Sequence, residues 1–225
     1  MIPLLNCTLC PLGRGQSVPG IGPIPARVML VGEAPGEQEE RFGIPFVGPT
    51  GNLLNEMLRK QGIERSSLYI TNLVKCRPPK NRDPEKGEMD TCNTHFLSLE
   101  LAAVSPAVII AVGRFAAQRF LPGTEFKRTH GTPHLRDGRV ILPVYHPAAA
   151  LHNSAVRGVV ERDFGALRAA LSLSDRGVEE VEVRYGVAPA GGIIALDTEA
   201  NIRDGKLVAV STSKDGRIAY VSNGT

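Results

Sequence analysis

Three short segments of this 225-residue chain set chemically able side chains beside residues that let a backbone approach a ligand. Gly32-Glu33-Ala34-Pro35-Gly36 places a carboxylate among glycines and is followed by Glu37, Glu39 and Glu40. A carboxylate at the edge of a crevice can orient water or take its proton, and glycine lets the main chain come close to what is bound. The plainer reading is a turn with solvated acids. Thr71-Asn72 offers an amide that both donates and accepts, as reading the edge of a base requires; a capping Asn is the simpler alternative. Tyr145-His146-Pro147 pins a histidine before a proline, as a proton donor or as an ordinary loop residue. Between the first two segments, the Gly/Pro-stiffened loop 42–49 carries Phe46, able to stack on a planar ligand or to plug the edge of a sheet.

A second set of groups is soft. Cys7 and Cys10 are spaced C-x2-C, and Cys76 and Cys92 are spaced C-x15-C. In a reducing compartment two disulfides are disfavoured, and the close spacing of the first pair lets two thiolates share one metal site. Zinc and an iron–sulfur cluster both accept four thiolates, and spacing alone does not choose between them; four unrelated buried thiols are the remaining alternative. Around these cysteines run Lys75, Arg77, Lys80 and Arg82, with Lys127-Arg128 farther on, groups that track phosphates or simply face solvent.

The elements that must position these groups alternate in type. Apolar runs at 28–31, 68–71, 107–112 and 140–145 predict strands. Helices are expected from Thr50 as cap to near Gly62, from the Asp83-Pro84-Glu85 start to about Val104, from after Val112 to about Leu121, and over roughly 155–171. This order predicts an α/β fold, three αβα layers around a mostly parallel sheet, and all three chemical segments then fall just past the carboxyl ends of strands, where such sheets bind ligands.

Composition narrows the class. Hydrophobic residues make 42% and charged residues 22% of the chain, with no tryptophan, which describes an ordinary globular protein with an aliphatic core. No run reaches the roughly 18 apolar residues of a membrane span, and the amino terminus lacks a secretory signal, so a cytoplasmic protein without membrane partners is expected. Residues 1–171 read as one domain and 172–191, with its acidic cluster and Ala188-Pro189-Ala190-Gly191-Gly192, as a linker. Residues 192–225 hold three strand-like runs, too few for an independent core, so the chain is expected to stop inside a second domain. Residues 1–170 carry a net +5 and residues 171–225 a net −2. The basic part suits a polyanionic partner.

Taken in order, Cys7-x2-Cys10, GEAPGEQEE at 32–40, IPFVGPTGNLL at 44–54, YITNLVKCRPPKNRDP at 69–84, Cys92 and YHPAAAL at 145–151 resemble the family 4 uracil-DNA glycosylases over about residues 1–170. The resemblance implies a central four-stranded parallel sheet and a [4Fe–4S] cluster on Cys7, Cys10, Cys76 and Cys92. It also implies release of uracil from DNA in a bacterium or a phage-infected host. Phe46 would stack on a flipped-out base, Asn72 would bond its Watson–Crick edge, and backbone groups at Gly32 and Ala34 would hold a uracil oxygen or the water. His146 would donate to the uracil anion and Glu33 would activate water. Lys75, Arg77, Lys80, Arg82, Lys127 and Arg128 would contact DNA, with Leu151 filling the vacated stack. A catalytically silent, uracil-sensing module in a polymerase fusion is the alternative function.

The last 33 residues carry a separate resemblance. Ile193-Ile194-Ala195-Leu196-Asp197-Thr198-Glu199, then 207–211 and 216–221, are similar to the opening strands of the DNA polymerase I type 3′–5′ exonuclease domain, which has an RNase H-like fold. By that resemblance Asp197 and Glu199, on one face of a strand, would ligate Mg2+ or Mn2+, and the chain would be fused to or act with a DNA polymerase.

Overall fold

The computed structural model describes residues 7–13, 15–175, 182–185, 209–212 and 218–222. Their strands begin with the apolar runs. β1 (Val28–Gly32), β2 (Leu68–Asn72) and β3 (Val108–Val112) are buried along their whole length, as strands covered on both faces must be. A short β4 (His134–Arg136) and β5 (Arg139–Val144) complete a sheet of order β2-β1-β3-β5-β4. The first four strands in that order are parallel, and β4 runs antiparallel to β5 at the edge.

The sheet therefore has five strands rather than the expected four. β4 is three residues long, with two of them exposed, so it carries no buried pattern. It is made by the Asp137-Gly138 turn, whose φ values of 50° and 71° belong to a two-residue hairpin, and Asp-Gly is the sequence signal for such a turn. Its pairing ends opposite Ile141, before Pro143, which has no N–H to give.

Helices cover both faces. α1 (Glu37–Phe42) and α2 (Pro49–Lys60) follow β1; α3 (Lys86–Cys92), a π turn over Asn93–Leu97 and α4 (Ser98–Val104) lie between β2 and β3. α5 (Arg114–Phe120) and α6 (Phe126–Thr129) follow β3, and α7 (Pro147–His152), α8 (Ser154–Gly165) and α9 (Leu167–Asp175) follow β5. Alternate strand residues sort the core. Leu30, Ile70, Ile110 and Leu142 meet Leu54, Met57, Leu58, Val160 and Phe164 on one face. Met29, Tyr69, Ile109 and Ile141 meet Leu97, Val104, Ala116 and Phe120 on the other. This is the period-two pattern of a sheet between two helical layers.

Several helix starts differ from expectation. Gly48, not Thr50, caps α2, with Pro49 as its first residue. Glu85, not Asp83, caps α3, because Glu88 reaches back to the Glu85 N–H in a capping box. Among the described residues no helix is long and apolar enough to cross a membrane.

The chain divides into two compact units, Met1–Arg176 and Gly177–Thr225. In the second, β6 (Glu182–Tyr185), β7 (Ala209–Thr212) and β8 (Ile218–Ser222) form a sheet of order β6-β8-β7. β6 and the end of α9 lie in the stretch read from sequence as a linker. The strand anticipated over 193–197, with Asp197 and Glu199, lies outside the described residues.

Candidate active site

β1 lies inside the sheet between β2 and β3, and the chain leaves it first towards β2 and then, by β3, towards the opposite edge. The register brings Gly32 level with Asn72 and Val112 level with Val144, so the following residues diverge from one edge. A crevice opens at such a reversal of strand order. A cleft of about 310 Å³ lies there, and Glu33, Ala34, Phe46, Asn72, Arg82 and His146 are among the residues lining it. Segments 39 residues (33 to 72) and 74 residues (72 to 146) apart in the chain thus converge.

Gly32 lies beneath the cleft rather than on its wall. A Cβ there would stand 2.3 Å from Asn72 Oδ1 and 2.6 Å from Phe46 Cζ. The absence of a side chain at the end of β1 is therefore what lets the Phe46 ring and the Asn72 amide share one floor. The Phe46 and His146 rings lie near parallel, with centroids 5.9 Å apart and planes inclined by 28°.

Two ionisable groups of the cleft, Glu33 and His146, are moved in opposite directions by the same cause. Burial pushes Glu33 up to about 7, helped by the Asp83 carboxylate and opposed by Arg114. Burial pulls His146 down to about 4, against the pull of Glu39. Each shift favours the uncharged form, the signature of desolvation. At neutral pH, His146 is a neutral imidazole and Glu33 stands near half ionisation. His146 caps α7, its Nδ1 accepting the Ala148 N–H at 3.2 Å, which leaves the ring proton on Nε2.

The loops are held by groups that sequence reasoning did not assign. Glu39 accepts the N–H groups of Val47 and Gly48, both at 3.0 Å, and of Gly36 at 3.1 Å, tying the loop after β1 to the loop carrying Phe46. Arg65 donates to Pro45 O at 2.7 Å and to Asn55 Oδ1 at 3.0 Å. Phe46 has φ 54°, and a Cβ on Gly51 would lie 1.9 Å from its carbonyl oxygen. On the other wall, buried Asp163 of α8 accepts the Tyr145 N–H at 2.8 Å, immediately before His146, and meets His130 Nδ1 at 2.9 Å. A buried acid so far along the chain leaves no local signal; a capping-box spacing is the one pointer the sequence gives to Glu39.

The four cysteines come together as well. Cys7, Cys10, Cys76 and Cys92 line one small apolar cavity with Leu12, Val74 and Phe96. Burial pushes Cys76 up to about 12 and Cys92 up to about 11, and Cys76 is raised further by the other three sulfurs. The Lys75 N–H donates to Cys92 Sγ at 3.3 Å. Thiolates collected in such a place repel one another and lack water, so the arrangement favours a cationic centre between them. No group of three or more His, Cys, Asp or Glu among the described residues is set as it stands to hold a single metal ion.

The basic residues separate into different environments. Lys75 is a correction: it is 1% exposed, with its ammonium 2.7 Å from Glu100 Oε2, and it cannot touch a phosphate. A charged residue in a polar loop is expected outside, but Glu100, 25 residues later in α4, neutralises it within the core. Arg77 is half-buried and pairs with Glu37 and Glu40, while Arg82 lines the cleft and forms a two-pronged pair with Glu88 at 2.6 and 2.9 Å. Lys80, Lys127, Arg128 and Leu151 are exposed, and Leu151 does not line the cleft.

Residues 19–164 match the family model described as the uracil DNA glycosylase superfamily. A type-4 uracil-DNA glycosylase of Thermotoga maritima is 42% identical over 165 residues, covering 70% of this chain and 85% of that protein. One from Archaeoglobus fulgidus is 41% identical over 172 residues, covering 72% and 86%. A DNA polymerase of Bacillus phage SP01 is 25% identical over 199 residues, covering 80% of this chain and 21% of the polymerase. The matched region contains β1 to β5 and every wall of the cleft, and by that match this chain belongs to the uracil DNA glycosylase superfamily.

Proposed function

We propose that the chain hydrolyses the N-glycosidic bond of deoxyuridine in DNA and releases uracil, as a type-4 enzyme of its superfamily. The observation that carries this reading is that Glu33 and His146 line one cleft, a carboxylate able to take a proton near neutrality together with a neutral imidazole whose proton is on Nε2. Relatives about 40% identical bear the type-4 name.

The base must leave the stack to enter a cleft of this size. Phe46 then stacks on uracil, and Asn72 accepts from N3–H and donates to O4; cytosine presents the opposite pattern. As the bond breaks, the sugar becomes cationic and uracil anionic. The His146 Nε2–H donates to O2 of the departing anion, and its neutrality keeps the proton on the protein while the charge develops. Glu33 takes a proton from water as it attacks the sugar carbon, and the backbone at Gly32 and Ala34 orients that water or the second uracil oxygen.

The four cysteines hold a [4Fe–4S] cluster in this reading. Four cysteines brought to one apolar cavity fit a centre held by four thiolates, and the type-4 relatives favour the iron–sulfur form over zinc. Bound, the cluster supplies a rigid tie between the amino-terminal segment and the loop from Cys76 to Cys92. Arg77, Lys80, Arg82, Lys127 and Arg128 contact DNA phosphates, and Leu151 enters the emptied stack. Residues 192–225 are read as the start of an RNase H-like exonuclease domain, with Asp197 and Glu199 as Mg2+ or Mn2+ ligands. The phage polymerase relative supports a link to replication.

Release of free uracil from a labelled oligonucleotide tests the main reading. Loss on Glu33→Ala and on His146→Ala is expected; tight binding without release by the unaltered protein would establish the silent sensor instead. Iron and labile sulfide at four each per chain are expected, and a colourless protein with one zinc would overturn the cluster. Mn2+ binding that survives Asp197→Ala with Glu199→Ala would refute the exonuclease reading.

A further inference from the structure

The lysine removed from the DNA-contact set has every polar group engaged. Its ammonium donates to Asn72 O at 2.6 Å, Thr71 Oγ1 at 2.6 Å and Glu100 Oε2 at 2.7 Å, which uses all three protons. Its N–H donates to Cys92 Sγ at 3.3 Å, and its carbonyl accepts the Val18 N–H at 2.7 Å. Glu100 in turn accepts from Tyr69 Oη and the Gly20 N–H, both at 3.2 Å, and bonds the Thr71 hydroxyl. Lys75 therefore spans the short distance between the sulfur-lined cavity and the last residue of β2. That last residue is Asn72, 2% exposed with its amide in the cleft.

We propose that Lys75 is a positioning residue for base selection: its ammonium fixes the Asn72 peptide, and thereby aims the amide at uracil, from a backbone anchored on the cysteine cavity. The inference rests on the assignment of Asn72 as the uracil-reading residue. The peptide that follows Asn72 is gripped at both ends: its N–H, on Leu73, donates to Gly32 O at 2.9 Å, and its carbonyl accepts from Lys75 Nζ at 2.6 Å. An ammonium–carbonyl bond is stronger than a neutral one, and Glu100 compensates the buried charge, so the amide is held by a fully satisfied network. A side-chain amide discriminates between uracil and cytosine only if its donor and acceptor stay in register with the base edge. A peptide held at its N–H alone, with its carbonyl released, would let that register drift.

Lys75→Met tests this in the full chain, with Lys75→Met/Glu100→Gln beside it so that no unpaired buried carboxylate confounds folding. Three quantities are read: inhibition by free uracil, binding to a duplex carrying a tetrahydrofuran abasic site, and visible absorbance of the iron–sulfur centre. Weakening of uracil inhibition by about tenfold is expected, the worth of a misaligned pair of hydrogen bonds. Abasic-site binding and absorbance should stay at the unaltered level, since neither contains a base for Asn72 to read. Uracil inhibition unchanged in a folded variant overturns the proposal. A parallel loss of abasic binding or of absorbance also overturns it, by showing general support of the fold. If the unaltered protein binds abasic DNA but neither binds nor releases uracil, the parent reading of the cleft fails instead.

Discussion

Glu33 and His146 at the cleft, and the buried Lys75–Glu100 pair and Asp163 with its half-buried partner His130 behind it, are treated in opposite ways. The pairs have partners at 2.7 and 2.9 Å, and the Lys75 ammonium spends all three of its protons within the protein. Glu33 has only the opposed and more distant influence of Asp83 and Arg114, and His146 has one nitrogen engaged by the Ala148 N–H. Burial without compensation shifts a pKa; burial with compensation fixes a geometry. The cleft thus keeps its reactive groups short of partners that substrate and water supply, while the layer behind it keeps the loops still.

The comparison breaks most visibly at the reactive groups. Glu33→Ala is expected to lower single-turnover uracil release by about 10²- to 10⁴-fold, and His146→Ala by about 10²- to 10³-fold. Glu33→Ala should not lower the melting temperature, because it removes a desolvated group that the fold does not satisfy, whereas His146→Ala also strips α7 of its cap and should lower it slightly. A fall in melting temperature with activity retained would reverse the assignment of roles.

Asp163→Ala should do the converse. It strips the Tyr145 N–H and His130 of their acceptor, so a loss of about 1 to 3 kcal/mol in urea unfolding is expected. Uracil release should fall less than for Glu33→Ala, since His146 is only loosened.

The pH dependence sharpens the difference within the cleft. Glu33 must be ionised to take a proton, so release should rise roughly tenfold per unit below about 7 and level off above it. His146 is already neutral above about 4 and adds no second inflection near neutrality. In Glu33→Gln the remaining rate should lose that limb, which a pH series on both proteins would show.

The smallest effect belongs outside both regions. Lys127→Ala with Arg128→Ala, both exposed, should leave release at low salt within a fewfold of the parent. The slope of log affinity against log salt should flatten by about one for each phosphate that is no longer neutralised. A large drop in release at low salt would place α6 in the catalytic framework.

Much of the fold is legible because four strands are short aliphatic runs buried on both faces, and burial on both faces leaves an uninterrupted apolar signature. β4 escapes such a reading because an exposed edge strand of three residues has no signature, although Asp137-Gly138 announces its turn. In the site, Glu33, Phe46, Asn72 and His146 stand out because they follow strands in recognisable segments, and the structure draws all four to one cleft. The burial of Lys75 and the bracing roles of Glu39, Arg65, His130 and Asp163 are not legible, because they depend on partners that local pattern does not disclose.

Composition, strand order and motif spacing sufficed to define an α/β protein, to bring four cysteines under suspicion as ligands, and to nominate the groups at the strand ends. These are properties of residue type and near neighbours, which a linear chain states directly. Which charges are exposed, which carboxylate stays near 7 and which lysine lies buried were decided only by tertiary contact. Electrostatic energy depends on distance through a low-dielectric interior rather than along the chain, so Glu100 can internalise Lys75, and burial in the cleft can desolvate Glu33, with no trace in the residues beside them.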